Sequence, residues 1–170
     1  MDARTTAQLD AIAEVGKLLE QAGFEHWLFG GWAVDFHVGH VTREHFDVDF
    51  AVLASNAGEA ARLLEASGWV HAPEPDEDGG TGYERDGVRV ELTFLVRDED
   101  GAVRIRLRRG DVMFAGGPIA HELLELDDRR CRVIDASALT RTKSVRRDDA
   151  EDQAKDMADL AALSEAQSSS

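Results

Sequence analysis

Apolar residues recur at helical spacing near the start of the chain. Leu9, Ile12, Gly16 and Leu19 form one stripe, Val15 and Leu18 widen it, and Gly23 supplies a stop, so the pattern predicts a first helix. The short run His26-Trp27-Leu28-Phe29 ends at Gly30-Gly31 and reads as a buried strand breaking into a tight turn; Trp32 to Val38, closed by Gly39, reads as a short helix. From Phe46 to Val52 the period changes to two. Phe46, Val48, Phe50 and Val52 then share one face of a strand, and Asp47 and Asp49 share the other. Asn56 followed by Glu59 resembles a capping box for a helix through Ala60, Leu63, Leu64 and Ser67 that Gly68 ends.

The stretch from Pro73 to Gly80 is rich in acids, Pro and Gly and reads as a loop. Asp86-Gly87 is a hairpin signal, followed by Val88, Val90, Leu92, Phe94 and Val96 at alternate positions, with Arg89, Glu91 and Thr93 on the opposite face. A turn at Asp98 to Gly101 leads into Val103, Ile105 and Leu107, and Arg132 to Ile134 adds a last strand. Ser137 is placed to cap a helix carrying Leu139 and Lys143, and Ala150 to Leu163 reads as a closing helix with a frayed Ser-rich end. The order of elements predicts an α+β domain: a twisted mixed or antiparallel sheet with helices mainly on one face. The expected division is a core over residues 1–135 and a helical segment over 136–170, together one compact unit.

Composition narrows the partners. The 170 residues carry a formal net charge of -15, which argues against a nucleic-acid partner, because such binding rests on Lys and Arg neutralising phosphates. A small cationic ligand fits that field better. The single cysteine, Cys131, has no partner for an intramolecular disulfide, and the polar start of the chain has neither a signal peptide nor a membrane span; a cytoplasmic protein with no membrane partner is expected.

The chemistry lies in the carboxylates. Asp47 and Asp49 on one strand face, with Glu91 on a neighbouring strand, form a hard-oxygen set suited to Mg²⁺, and two such ions about 3.5–4 Å apart would clamp the attacking and leaving oxygens of a displacement at phosphorus. Gly30-Gly31 lets backbone N–H groups approach phosphate oxygens, with the positive end of the following helix behind them. Phosphoryl or nucleotidyl transfer is the implied reaction. An Asp-x-Asp taken alone is more often a solvated strand edge, and Glu91 taken alone is an exposed residue paired with Arg89 or Arg106. His37, His40 and His45 match no standard zinc spacing, and His45 is better placed to orient Asp47 or its loop.

The run Gly30-Gly31-Trp32-Ala33-Val34-Asp35, then Gly39, then Thr42-Arg43-Glu44-His45-Phe46-Asp47-Val48-Asp49 resembles the signature of small antibiotic nucleotidyltransferases of the polymerase-beta-like superfamily, the aminoglycoside 2''-adenylyltransferases and lincosamide nucleotidyltransferases among them. A Lys-Asp-x-x-Asp-Leu stretch from Lys155 to Leu160 agrees more loosely. The resemblance implies a polymerase-beta-like nucleotidyltransferase core in which Asp47 and Asp49 bind Mg²⁺ and a third acid, here Glu91, helps activate the acceptor hydroxyl. It further implies that Gly30, Gly31 and Arg43 hold the nucleoside triphosphate, ATP as co-substrate, and Lys143 is grouped with them against the plainer reading of a solvated lysine. The family commonly has Asp where this chain has Glu91, and a polar or acidic residue where it has Phe46. The expected reaction is transfer of AMP from ATP to a hydroxyl of a small cationic acceptor such as an aminoglycoside. A lincosamide, another metabolite or a protein side chain as acceptor, or a nucleotide-binding module without catalysis, are the alternatives.

Overall fold

The computed structural model describes residues 2–168, which form five α-helices and one nine-stranded mixed sheet. Helix α1 (Ala3–Gln21) starts where the Asp2 carboxylate accepts the Thr5 N–H at 2.8 Å, and it buries Leu9, Ile12, Val15, Gly16 and Leu19. Strand β1 (His26–Phe29) runs into helix α2 (Gly30–Val38) with no intervening loop. The expected turn at Gly30-Gly31 is therefore the first turn of the helix itself. Gly30, at φ +70°, makes the corner, and Gly39, at φ +85°, ends α2 in the left-handed conformation.

Strand β2 (Val48–Leu53) leads through a 3-10 turn (Ala54–Asn56) to α3 (Ala57–Ala66). The capping box is not formed: Asn56 has helical backbone angles (φ −99°, ψ −1°) and its side chain makes no cap, because the preceding turn already winds the chain. Strands β3 (Val70–His71), β4 (Gly80–Arg85) and β5 (Val88–Arg97) follow. Asp86 (φ +51°) and Gly87 (φ +78°) form the tight hairpin turn expected between β4 and β5. Along β5 the alternation holds as far as Leu92. Beyond it Leu95, not Val96, is buried, since Leu95 lies opposite Leu53 of β2 and Ile105 of the next strand.

Strand β6 (Ala102–Leu107) pairs with the end of β5 and with β7 (Gly110–Pro118), while β8 (His121–Leu126) pairs with β9 (Arg129–Ile134). The pattern of the sequence does not announce β7 or β8, because both are mostly exposed and carry no apolar alternation. Helix α4 (Ala136–Lys143) is capped by the carboxylate of Asp135, which accepts the Ala138 N–H at 2.9 Å; Ser137 is already inside the helix. Helix α5 (Ala150–Ser168) stays helical through Ser168, and the rest of the expected frayed end, 169–170, lies outside the described residues.

The sheet order is β3-β4-β5-β2-β1-β9-β8, with β6 and β7 extending from β5. Two pairings are parallel, β2 with β5 and β1 with β9, and the rest are antiparallel. Val48, Phe50 and Val52 are buried as the alternation requires, but Phe46 precedes the strand and is 64% exposed. Cys131 is buried against α1: a Cβ placed on Gly16 would sit 3.2 Å from its Sγ, and burial pushes the thiol up to about 12. Among the described residues no helix is long and apolar enough to cross a membrane.

Candidate active site

Parallel pairing of β2 with β5 sets Asp49 directly beside Glu91, and Asp47, two residues earlier, lies on the same side. Asp47, Asp49 and Glu91 each offer a carboxylate oxygen, and these oxygens lie within 4.8 Å of one another. Burial first, then the neighbouring Asp47 and Glu91 charges, pushes the Asp49 carboxyl well above the usual carboxylate range, with Lys143 and Arg147 opposing. Asp47 is raised by burial and by Glu91, against Arg89 and His45. Three half-buried carboxylates so close repel one another unless a cation or a proton is shared among them.

The two glycines make room for this arrangement. A Cβ on Gly30 would collide with the carboxylate of Asp49, which is held there because Phe29, the residue before Gly30, pairs with Asp49 across the sheet. A Cβ on Gly31 would collide with the guanidinium of Arg43 and with the His45 ring, 2.6 Å from Nδ1. The signature loop is itself tied to α2. Buried Asp35 accepts the Thr42 N–H at 3.1 Å and the Thr42 hydroxyl at 2.6 Å, and His45 Nε2 lies 2.6 Å from its other oxygen. His45 also packs on the Trp32 ring, 4.5 Å between centroids, and its carbonyl accepts a bond from Gln8 Nε2 at 3.1 Å. Its carboxylate partner is Asp35 rather than Asp47, so it fixes the loop that carries Asp47.

A cationic wall faces the acids. Lys143 is not solvated: it is buried between Asp156 (2.9 Å) and Asp159 (2.8 Å) of α5. Arg43 reaches the same Asp159 with Nε and Nη2, both at 3.2 Å, and Arg147 binds Asp156 at 3.0 Å. Burial raises the Asp159 carboxyl, but hydrogen bonds from Arg43 and Lys143 outweigh it and hold the group below its ordinary value. Glu44, next to Arg43 in the chain, contributes only its carbonyl, which accepts from Arg43 Nη1 at 3.1 Å. Asp156, Asp159 and Arg147 are not among the residues singled out from sequence. The Lys155–Leu160 stretch carries the available signal, since carboxylates three apart share one helix face.

Acids and cations line one cleft of about 430 Å³, together with Gly30, Gly31 and Phe46. All seven residues expected at a site, Asp47, Asp49, Glu91, Gly30, Gly31, Arg43 and Lys143, border it. At its rim the exposed Phe46 ring has the Arg4 guanidinium 5.5 Å and the Lys155 ammonium 5.4 Å from its centroid. Glu91 accepts a bond from Arg89 Nε at 2.8 Å, so the arginine pairing and the grouping with Asp47 and Asp49 both hold. The donor set fits a hard divalent cation. It offers oxygens only, carries up to three negative charges, and faces a cleft with room for further ligands.

The sequence profile of the aminoglycoside-2''-adenylyltransferase family matches residues 11–163. Over 63 residues the chain is 32% identical to a 2''-aminoglycoside nucleotidyltransferase of Klebsiella pneumoniae and to one of Escherichia coli; that stretch is 37% of this chain and spans only 36% of the length of each relative. Two solved structures share the fold. The lincosamide antibiotic adenylyltransferase LnuA, solved with lincomycin bound, is 21% identical with a TM-score of 0.65, over 87% of this chain and 90% of that one. ANT(2'')-Ia in complex with adenylyl-2''-tobramycin is 17% identical with a TM-score of 0.63, over 95% of this chain and 94% of that one. With nine-tenths of its length inside the matched profile, this chain belongs to the aminoglycoside-2''-adenylyltransferase family.

Proposed function

We propose that the protein transfers AMP from ATP to a hydroxyl of a small cationic acceptor of the aminoglycoside type. The observation that carries this reading is the three-carboxylate cluster of Asp47, Asp49 and Glu91 placed opposite Lys143, Arg43 and Arg147 across one cleft that the N-terminus of α2 enters. Asp47 and Asp49 would hold Mg²⁺, with Glu91 as third ligand, and the ion would supply charge neutralisation at the α-phosphate and on the departing pyrophosphate. The Gly30 and Gly31 backbone approaches the triphosphate, and Lys143, Arg43 and Arg147 bind its outer oxygens. The acceptor hydroxyl oxygen bonds to the α-phosphorus, the bond from that phosphorus to pyrophosphate breaks, and pyrophosphate leaves with the electron pair. Glu91 takes the hydroxyl proton.

A panel of aminoglycosides, lincosamides and neutral sugars incubated with labelled ATP and Mg²⁺ tests both the chemistry and the acceptor. The expected outcome is a labelled aminoglycoside, with Asp49→Asn slower by at least about 10²–10³-fold, the size of effect that follows removal of one electrostatic stabiliser of a transition state. Near wild-type transfer by Asp49→Asn overturns the metal-centred reading. Transfer to a lincosamide alone keeps the chemistry and moves the acceptor.

A further inference from the structure

The third acid of the cluster is a glutamate, with one more rotatable bond than an aspartate and correspondingly more freedom to lose when its carboxylate is fixed in place. We propose that Arg89 is the positioning residue that holds Glu91 in the cluster, and that Gly82 exists to give the Arg89 guanidinium its seat. This rests on the carboxylate-cage reading given above.

Three observations carry it. On β5 Arg89 and Glu91 are two apart and project from the same face, and Nε of Arg89 donates to Oε1 of Glu91 at 2.8 Å. Across the β4–β5 hairpin the residue opposite Glu91 is Gly82. Its missing side chain leaves the space the guanidinium fills: a Cβ there would collide with Nη2 and come within 2.6 Å of Cζ and 2.8 Å of Nη1. The far end of the fork is anchored independently. Nη1 donates to the Ala72 carbonyl at 2.9 Å and to Glu84 at 3.3 Å, and Nη2 lies 3.6 Å from Glu74 and 3.9 Å from Glu77.

An arginine swinging freely on a strand surface would gain little from one carboxylate. Here the guanidinium is fixed from the other side by backbone and by a second strand, so it is a fixed point to which Glu91 is tied. A planar fork with donors at set angles does this, whereas the point charge of lysine does not.

The experiment separates positioning from simple charge compensation because the two have opposite signs. Arg89 is a positive charge beside a cation site. If it served only as a counter-charge, removing it would tighten binding of a divalent cation; if it positions Glu91, removing it weakens binding.

The probe is Mn²⁺ alone, titrated into the full chain by calorimetry, with circular dichroism confirming that each variant is folded. Arg89→Gln is expected to bind Mn²⁺ at least about tenfold more weakly, within the range seen when a partner of a metal ligand is removed. Arg89→Lys, which keeps the charge, should do the same. Gly82→Ala should move affinity in that direction by displacing the fork. Adding Arg89→Gln to Glu91→Gln should cost no more than Glu91→Gln alone.

Unchanged or tighter binding by Arg89→Gln, or full retention by Arg89→Lys, overturns the proposal. The underlying reading fails separately: if Asp49→Asn binds Mn²⁺ as the wild type does, there is no cage for Arg89 to serve.

Discussion

Gly30 carries two demands in one residue. Its φ of +70° turns β1 directly into α2, and its missing Cβ is the space into which the Asp49 carboxylate projects. Gly30→Ala is therefore expected to destabilise the fold by about 1–3 kcal/mol from backbone strain, read by urea denaturation, and to displace Asp49, read as loss of Mn²⁺ binding. The Asp49 carboxyl gives a second test at this scale. Its folded value is raised, so what it contributes to stability is present below its unfolded value near 3.8 and is lost as pH rises through the raised folded value. In chelator at neutral pH, Asp49→Asn should therefore melt at a higher temperature than the wild type, and the gap should close toward pH 4. Adding Mg²⁺ should raise the wild-type melting temperature and leave that of the variant in place. The gathering of Gly30, Gly31, Asp47 and Asp49 in one place was legible because special backbone and like-charge alternation leave marks in a single sequence. Phe46 was misplaced because alternation alone does not say where a strand begins, and the strand starts two residues later.

At the scale of elements, α5 decides how the cationic side of the cleft is held. Lys143 on α4 satisfies two carboxylates that are both almost wholly buried, Asp156 and Asp159. Lys143→Met should cost roughly 3–5 kcal/mol by chemical denaturation, because it leaves two buried acids with fewer counter-charges. The same variant should raise the KM for ATP more than that for the acceptor. A lone lysine on a late helix gives no hint of this in the sequence, since its partners are supplied by another helix 13 and 16 positions on. The edge strands β7 and β8 were illegible for the opposite reason: they bury little, so nothing selects an alternating pattern along them. The α3 and α4 caps were misread where more than one polar residue stood near the start, and only the backbone angles choose between them.

Over the whole molecule, the net charge of -15 would act with opposite sign on the two substrates proposed above, ATP and a cationic acceptor. If the acceptor is a polycation, its KM should rise with ionic strength as attraction is screened, while that of anionic ATP should fall or hold steady; steady-state kinetics across a KCl series reads both slopes. Sequence reading reached the class of sheet and the residues that gather in one cleft, but not the strand order. The parallel β1–β9 pairing joins Leu28 to Val133, a separation that local patterns do not encode. That closing strand also carries Cys131, packed beneath α1 at Gly16. A lone thiol shut in at that seam is a built-in reporter of opening. A thiol reagent can label it only when α1 lifts from β9 or the whole chain unfolds, so the labelling rate measures how often that happens. Nucleotide or acceptor that closes the protein should slow the reaction without any probe being attached near the cleft.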